Sequence, residues 1–482
     1  MKKNYFLINF TDRFLIKIPE ALTKNNNVIL FGDNKHFEKD TSSYCNKFIN
    51  YKSFFPRNFQ TLENNSFLLT NDIIEKNKDL ELLFFQLVDR IFIKSVCINS
   101  LKNYYYDLLK FWYNFFENNK NIDIIIFESH PHMPFDIFPY FVGKQFNIKS
   151  IFLKSTSINN FLLFDTELNK KDHYLELKIN QKENLKYINE EIKIKTKKEI
   201  RASSLNEIKH VDIFNQPFRY IKSRLKYLFK LSYIKKRYEG SYYNLNFFEF
   251  IVEFIKRDIQ KTIFRKFIKK KSIKPDLTTK YIYYSLHYQP ERSTDPQANH
   301  YSNQLLPLKI LNEIVPDDFY IYVKEHPRQY IDNYPDIRKK NYRNKEYYHD
   351  ILRLSKVRMV DINFPSEILI KHAKLNASCT GSNVWEGLKI LKPGIHFGHN
   401  WTGSCQSSPS VLNSTIEETK KQIKILLDKN ETDVSNDIDI FLKKISNYGV
   451  ISSNSVPFDD KISEELLVKN LINAIEGIND FK

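Results

Sequence analysis

Three short polar segments carry the residue types that could act on a phosphorylated ligand. The first is Tyr288, Gln289, Pro290, Glu291, Ser293 and Thr294, placed directly after the apolar run Tyr281–Ser285. Proline restricts its own backbone and that of the residue before it, so Gln289 and Pro290 would hold Glu291 as a catalytic or ligand-orienting carboxylate. A plain turn would use the same residues, and His287 has weaker support as part of the same mouth. The second segment is Lys324, Glu325, His326 and Pro327, closing the run Phe319–Val323. An imidazole there can donate to a phosphate oxygen or act as a general acid near neutral pH. Pro327, with its fixed φ and missing amide proton, stops the strand. Taken alone, that dipeptide is more simply an ordinary strand-end histidine. The third segment is Thr380, Gly381 and Ser382, opening a helical stretch that carries Glu386. Amides and a hydroxyl at a helix start can hold an anion, and glycine lets a ligand oxygen come close. Glu386, one turn in, would accept hydrogen bonds from sugar or ribose hydroxyls. The blander alternatives are Ser382 as an N-cap and Glu386 as a solvated helix residue. As a set, the three segments read as a pocket for a nucleotide's phosphate.

A fourth segment runs from Glu128 through Ser129, His130, Pro131, His132, Met133, Pro134 and Phe135 to Asp136, after the run Ile122–Phe127. Two histidines flanked by carboxylates could suggest a metal, but no helical histidine pair and no third ligand stand in reach by sequence, so no metal is expected. A general base is the better reading: Glu128, His130 or Asp136 could deprotonate an incoming hydroxyl, and the sequence does not rank them.

The elements that must position these segments follow from periodicity. Tyr5–Asn9, Val28–Phe31, Ile122–Phe127 and Ser150–Leu153 have strand character, with helices at Phe14–Leu22, Leu101–Phe116 and Phe138–Gln145 between them. A second block places strands at Tyr281–Ser285, Phe319–Val323, Val357–Val360, Leu375–Ser378 and Gly394–Phe397. Helices near Tyr301–Glu313, Ser366–Ala373 and Asn383–Leu391 alternate with them. Alternation of this kind predicts α/β architecture with parallel sheets covered on both faces. Ligands in such sheets sit at the carboxyl ends of the strands, where all four polar segments fall. The expected organisation is two Rossmann-like domains facing across a cleft, at 1–165 and 276–455, a basic and largely helical linker or insertion at 166–275, and a closing C-terminal helix within 456–482. In the basic segment, Arg219–Lys236 and Phe247–Lys270 read as helices. Phe247, Phe248, Ile251, Phe254 and Ile255 form a packing stripe on the second, or alternatively the apolar face of a membrane-surface helix.

Composition sets outer limits. A chain of 482 residues exceeds what one core normally organises, and 42% hydrophobic content excludes a disordered chain. The net charge of +17 invites a nucleic-acid reading. An AT-rich coding bias, with abundant Lys, Asn, Ile, Phe and Tyr and only 10 glycines, explains it more simply, and no nucleic-acid partner is expected. A basic surface would still favour anionic substrates or an anionic membrane leaflet. Cys45, Cys97, Cys379 and Cys405 lack paired spacing and read as free thiols. No apolar run approaches the roughly twenty residues that span a bilayer, so the expected location is the cytoplasm, with peripheral contact to the inner membrane as an option. No repeat at solenoid periods is present.

The second block resembles the bacterial capsule polysaccharide biosynthesis proteins, a group that includes the Kdo transferases acting from CMP-Kdo. Leu286, His287, Tyr288, Gln289, Pro290, Glu291, Ser293 and Thr294 match the family's QPE-type motif. Val323, Lys324, Glu325, His326 and Pro327 match its KEHP motif. Thr380, Gly381, Ser382, Glu386, Gly387, Lys392, Pro393, His396, Phe397 and Gly398 match its closing segment. The match covers Tyr281 to Trp401 and is specific as an ordered set. It implies a GT-B glycosyltransferase whose C-terminal domain holds a nucleotide sugar without a metal cofactor. By analogy with that family and the bacterial sialyltransferases, His326 would contact the CMP phosphate, Ser382 would assist it, and Glu291 would serve the reacting sugar. Gln289, Lys324, Pro327, Thr380, Gly381 and Glu386 would complete the donor site. The expected activity is transfer of a CMP-activated ulosonic acid, Kdo first among them, to a glycan or lipid-linked acceptor. The alternatives are a transferase using another nucleotide sugar or a CDP-polyol, and a non-catalytic component of polysaccharide assembly.

Overall fold

The structure is a computed structural model that describes residues 2–33, 37, 41–54, 67–91, 97–168, 170, 173–177, 181–202, 218, 247–331, 342–457 and 461–478. The chain forms two compact units, one of Met1–Asp89, Ser95–Lys193 and Ile440–Lys482, the other of Arg90–Lys94 and Ile194–Asp439.

In the first unit the strands are β1 (Asn4–Ile8), β2 (Asn27–Gly32), β3 (Lys47–Asn50), β4 (Ile124–Phe127), β5 (Lys149–Ser155) and β6 (Phe161–Asp165). β3, β2, β1, β4 and β5 lie side by side in that order, all parallel. This is the winding of a Rossmann fold, with strands on both sides of its switch point. β1 and β4 are almost entirely apolar and buried because helices cover both faces of the sheet. One of these helices, Ile98–Glu117, turns Tyr105, Leu108, Leu109, Trp112 and Phe116 inward at helical spacing. β6 runs antiparallel to β5.

In the second unit the strands are β7 (Tyr281–Ser285), β8 (Tyr320–Lys324), β9 (Val357–Val360), β10 (Leu375–Ser378) and β11 (Gly394–His396). Their order is β11-β10-β7-β8-β9, again all parallel and again the Rossmann winding. Alternate residues feed two cores. Ile282, Tyr284, Ile321 and Val323 pack into one, Tyr281, Tyr283 and Tyr322 into the other. The expected strands at 281–285, 357–360 and 375–378 stand as predicted, and the one at 319–323 begins and ends one residue later.

Helix Phe247–Lys271 is present, and it packs into the second unit through Phe264, Phe267 and Ile268. Of the predicted stripe, Ile255 is 41% exposed; the side chains of Phe247, Phe248, Ile251 and Phe254, and the whole stretch 219–236, lie outside the described residues. The closing segment joins the first unit, not the second. Its last strand, β12 (Gly449–Ile451), pairs antiparallel with β6, and helix Glu464–Glu476 packs on β12 and on helix Lys17–Leu22. The first unit therefore reclaims the chain from Ile440 onward, ahead of the boundary expected at 456. Among the described residues, no helix is long and apolar enough to cross a membrane.

Candidate functional site

The second unit's strand order reverses between β7 and β10, and that switch point is where an open parallel sheet leaves a crevice for ligands. Ser285 of β7 is in register with Lys324 of β8 and Ser378 of β10. His287, His326 and Thr380 each stand two residues past that row, so the three polar segments emerge at one level of one edge. Contacts tie them together. The Tyr288 and His326 rings lie 6.0 Å apart between centroids. The Thr380 hydroxyl donates to the Ser293 carbonyl at 2.7 Å, and the Ser293 hydroxyl donates to the Glu291 carboxylate at 2.9 Å. Glu291 and Ser382 are exposed, and His326 is partly so.

His326 is oriented by its own turn. Its Nδ1 accepts the Arg328 amide at 3.2 Å, which leaves the ring proton of the neutral form on Nε2, as a donor. Its amide donates to Glu325 Oε1 at 2.8 Å. Glu325 is fully buried and also takes Arg343 Nε at 2.8 Å and the Tyr348 hydroxyl at 2.7 Å. Arg343 goes on to Gln289 Oε1 at 2.6 Å and to the His287 carbonyl at 3.0 Å. Gln289, itself buried, also donates to the Ser302 carbonyl and accepts from Gln304. One buried network thus anchors the loops after β7 and β8. Arg343 and Gln304 escaped the sequence reading because isolated polar residues in loops or on helix surfaces look alike before folding.

Lys324 projects to the other face of the sheet. It is 3% exposed, and among the described residues its hydrogen-bond partner is the Ser366 hydroxyl at 2.7 Å. Burial pulls its pKa down to about 8, with Glu367 and Asp361 pushing back upward. The Tyr283 hydroxyl reaches the same Ser366 oxygen at 3.4 Å.

The third segment departs from expectation in detail. The amides of Thr380 and Gly381 are already taken, by His287 Nε2 at 3.0 Å and Ser378 Oγ at 3.1 Å. They are therefore engaged within the protein and are not free to hold a ligand anion. A Cβ on Gly381 would stand 2.6 Å from Ser378 Oγ and 2.8 Å from Asn383 Oδ1, so the chain's own packing requires the glycine. Ser382 does not cap the helix Asn383–Leu388 with its side chain; its hydroxyl donates to Glu386 Oε1 at 2.8 Å. Pro327, beside His326, is partly exposed.

In the first unit, the switch point lies between β1 and β4, and Glu128 directly follows β4. Glu128 is partly exposed and accepts the Ser129 hydroxyl at 3.0 Å. His130 is 1% exposed, stacks on Phe152 and pairs through Nε2 with Asp165 Oδ2 at 3.2 Å. Asp136 is wholly buried, and its Oδ1 accepts the amides of His132 and Met133, which holds the loop's shape. Of the three candidate bases, exposure favours Glu128. Asp165 was missed because its strand, β6, gave no alternating signal.

No family model and no curated protein matches the chain. Among solved structures, it is similar to the KpsC β-Kdo 2,7 transferase of Thermosulfurimonas dismutans, at 10% identity over 98% of this chain and 99% of that one, with a TM-score of 0.34. It is similar to that organism's KpsC β-Kdo 2,4 transferase at 10% identity over 73% and 88%, TM-score 0.30. The UDP-GlcNAc 2-epimerase of Methanocaldococcus jannaschii is similar at 15% identity over 91% and 99%, TM-score 0.24.

Proposed function

We propose that the chain is a glycosyltransferase whose second unit takes a nucleotide sugar at the carboxyl edge of its sheet. The donor is a CMP-activated ulosonic acid, Kdo first among them. The acceptor is a surface or capsular polysaccharide, or its lipid-linked precursor, at the inner face of the membrane. The observation that supports this reading is that the loops carrying Glu291, His326 and Thr380–Ser382 leave the same edge of the sheet, linked through Tyr288 and Ser293. The motif resemblance to the capsule polysaccharide proteins supports the donor class.

The chemistry follows from the groups present. As the sugar departs, charge builds on the phosphate of CMP, and donors fixed beforehand at that point lower the barrier. His326 supplies its Nε2 proton and Ser382 its hydroxyl, which turns from Glu386 to the phosphate, while Lys324 lends positive charge at the same end of β8. These groups let the reaction proceed without a metal ion. Glu291 faces the reacting sugar, with Gln289 holding its loop through the buried network, and Glu386 takes sugar or ribose hydroxyls. Glu128, at the first unit's switch point, is the base for the acceptor hydroxyl.

A thermal-shift panel with CMP, UDP, GDP and CDP tests the reading, because a ligand that binds only the folded state raises its stability. Stabilisation by CMP, lost in His326→Ala and unchanged by a chelator, is expected. A response to UDP alone would transfer the site to another sugar nucleotide, and silence toward all four would remove the enzyme.

A further inference from the structure

His287 stands at the carboxyl end of β7 and is 7% exposed. Its Nε2 lies 3.0 Å from the Thr380 amide nitrogen and 2.9 Å from the Ser378 hydroxyl. A backbone amide always carries its proton, so Nε2 must offer its lone pair and the ring proton belongs on Nδ1. The Ser378 oxygen takes the next amide, that of Gly381, and has the Ser285 carbonyl at 3.3 Å as a second outlet for its own proton. The histidine's main chain is fixed as well. Its amide donates to Gln304 at 2.6 Å, and its carbonyl accepts from Arg343. Two successive amides before Ser382 therefore end on side chains anchored in the sheet.

We propose that His287 is a positioning residue for the ligand-holding edge: as the neutral Nδ1–H tautomer it fixes the Thr380 amide, Ser378 fixes that of Gly381, and together they set where the Ser382 hydroxyl meets a phosphate. This rests on the reading of Ser382 given above, and His287 itself touches no ligand. A second ring proton would point at the amide proton of Thr380 and break the hold. Burial, with His326 and Arg343 nearby, pushes the ring's pKa down to about 3, so the neutral form persists at physiological pH.

Two readouts test the assignment. Without ligand, nitrogen NMR of the His287 ring is expected to show Nδ1 protonated and Nε2 bare from about pH 5 to 8. Exchange of the Thr380 amide should quicken about tenfold in His287→Leu and stay slow in His287→Gln, whose side-chain oxygen can replace the acceptor. With CMP as probe, His287→Leu and Ser382→Ala should each weaken binding by about tenfold, the double variant should lose little more, and His287→Gln should recover most of the affinity. A protonated Nε2, unchanged exchange in His287→Leu, or fully additive losses would overturn the proposal. Should the leucine variant fail to fold, Ser378→Ala, expected to free the Gly381 amide alone, carries the same comparison. If the wild type binds no nucleotide, the functional reading falls, while the ring tautomer and amide exchange still decide the role of His287.

Discussion

Lys324 shows how a residue's energetics separate function from folding. Its folded pKa of about 8 lies below the ordinary lysine value, so the unfolded chain holds that proton more tightly. Stability therefore rises with pH between about 8 and the ordinary value near 10.4, and below about 8 the full cost of burying the charge stands. Lys324→Met removes that cost and fills the space with an apolar chain. The variant is expected to be more stable at pH 7, by up to about 3 kcal/mol, and to bind CMP more weakly. Urea denaturation beside CMP titration checks both halves. A destabilised variant with intact binding would make Lys324 a scaffold residue. His326 carries a similar lesson in legibility: its type and place were readable from the KEHP segment, whereas the tautomer depends on the Arg328 amide, which only the folded turn supplies.

At the scale of elements, the loops after β7 and β8 are held by the buried pair Arg343 and Glu325. Removing one partner of a buried pair leaves the other charged and unsolvated, which costs about 3 to 5 kcal/mol. Losing one hydrogen bond to the same carboxylate costs about 1.5 to 3 kcal/mol. Arg343→Leu should therefore destabilise the protein well beyond Tyr348→Phe in urea denaturation; equal, small effects would mean that the network does not anchor these loops. The central strands were legible because burial on both faces leaves uninterrupted apolar runs, as in Ile124–Phe127 and Tyr281–Ser285. β3, with no buried residue, and β12, three residues long, carry too little pattern to be seen. The site's residue types were legible for the same reason that its supports were not. Segments that follow a clear strand announce themselves, whereas Arg343, Gln304 and Ser366 acquire meaning only from neighbours distant in the chain.

For the molecule as a whole, the two units share one winding without a detectable sequence repeat, and each places polar side chains at its own switch point: Glu128 beside β1 and β4, His287 and Thr380 beside β7 and β10. What the linear pattern could not convey is that the chain from Ile440 returns to the first unit, because that depends on β12 pairing with β6. The central claim is that three separated segments of the second unit grip one leaving group. Calorimetric titration of CMP into the wild type and into Glu291→Gln, His326→Ala and Ser382→Ala tests it most directly. The account predicts saturable binding to the wild type, weakened about tenfold or more by the histidine and serine changes and far less by Glu291→Gln, which faces the sugar that CMP lacks. Binding that all three variants retain at full strength would contradict it.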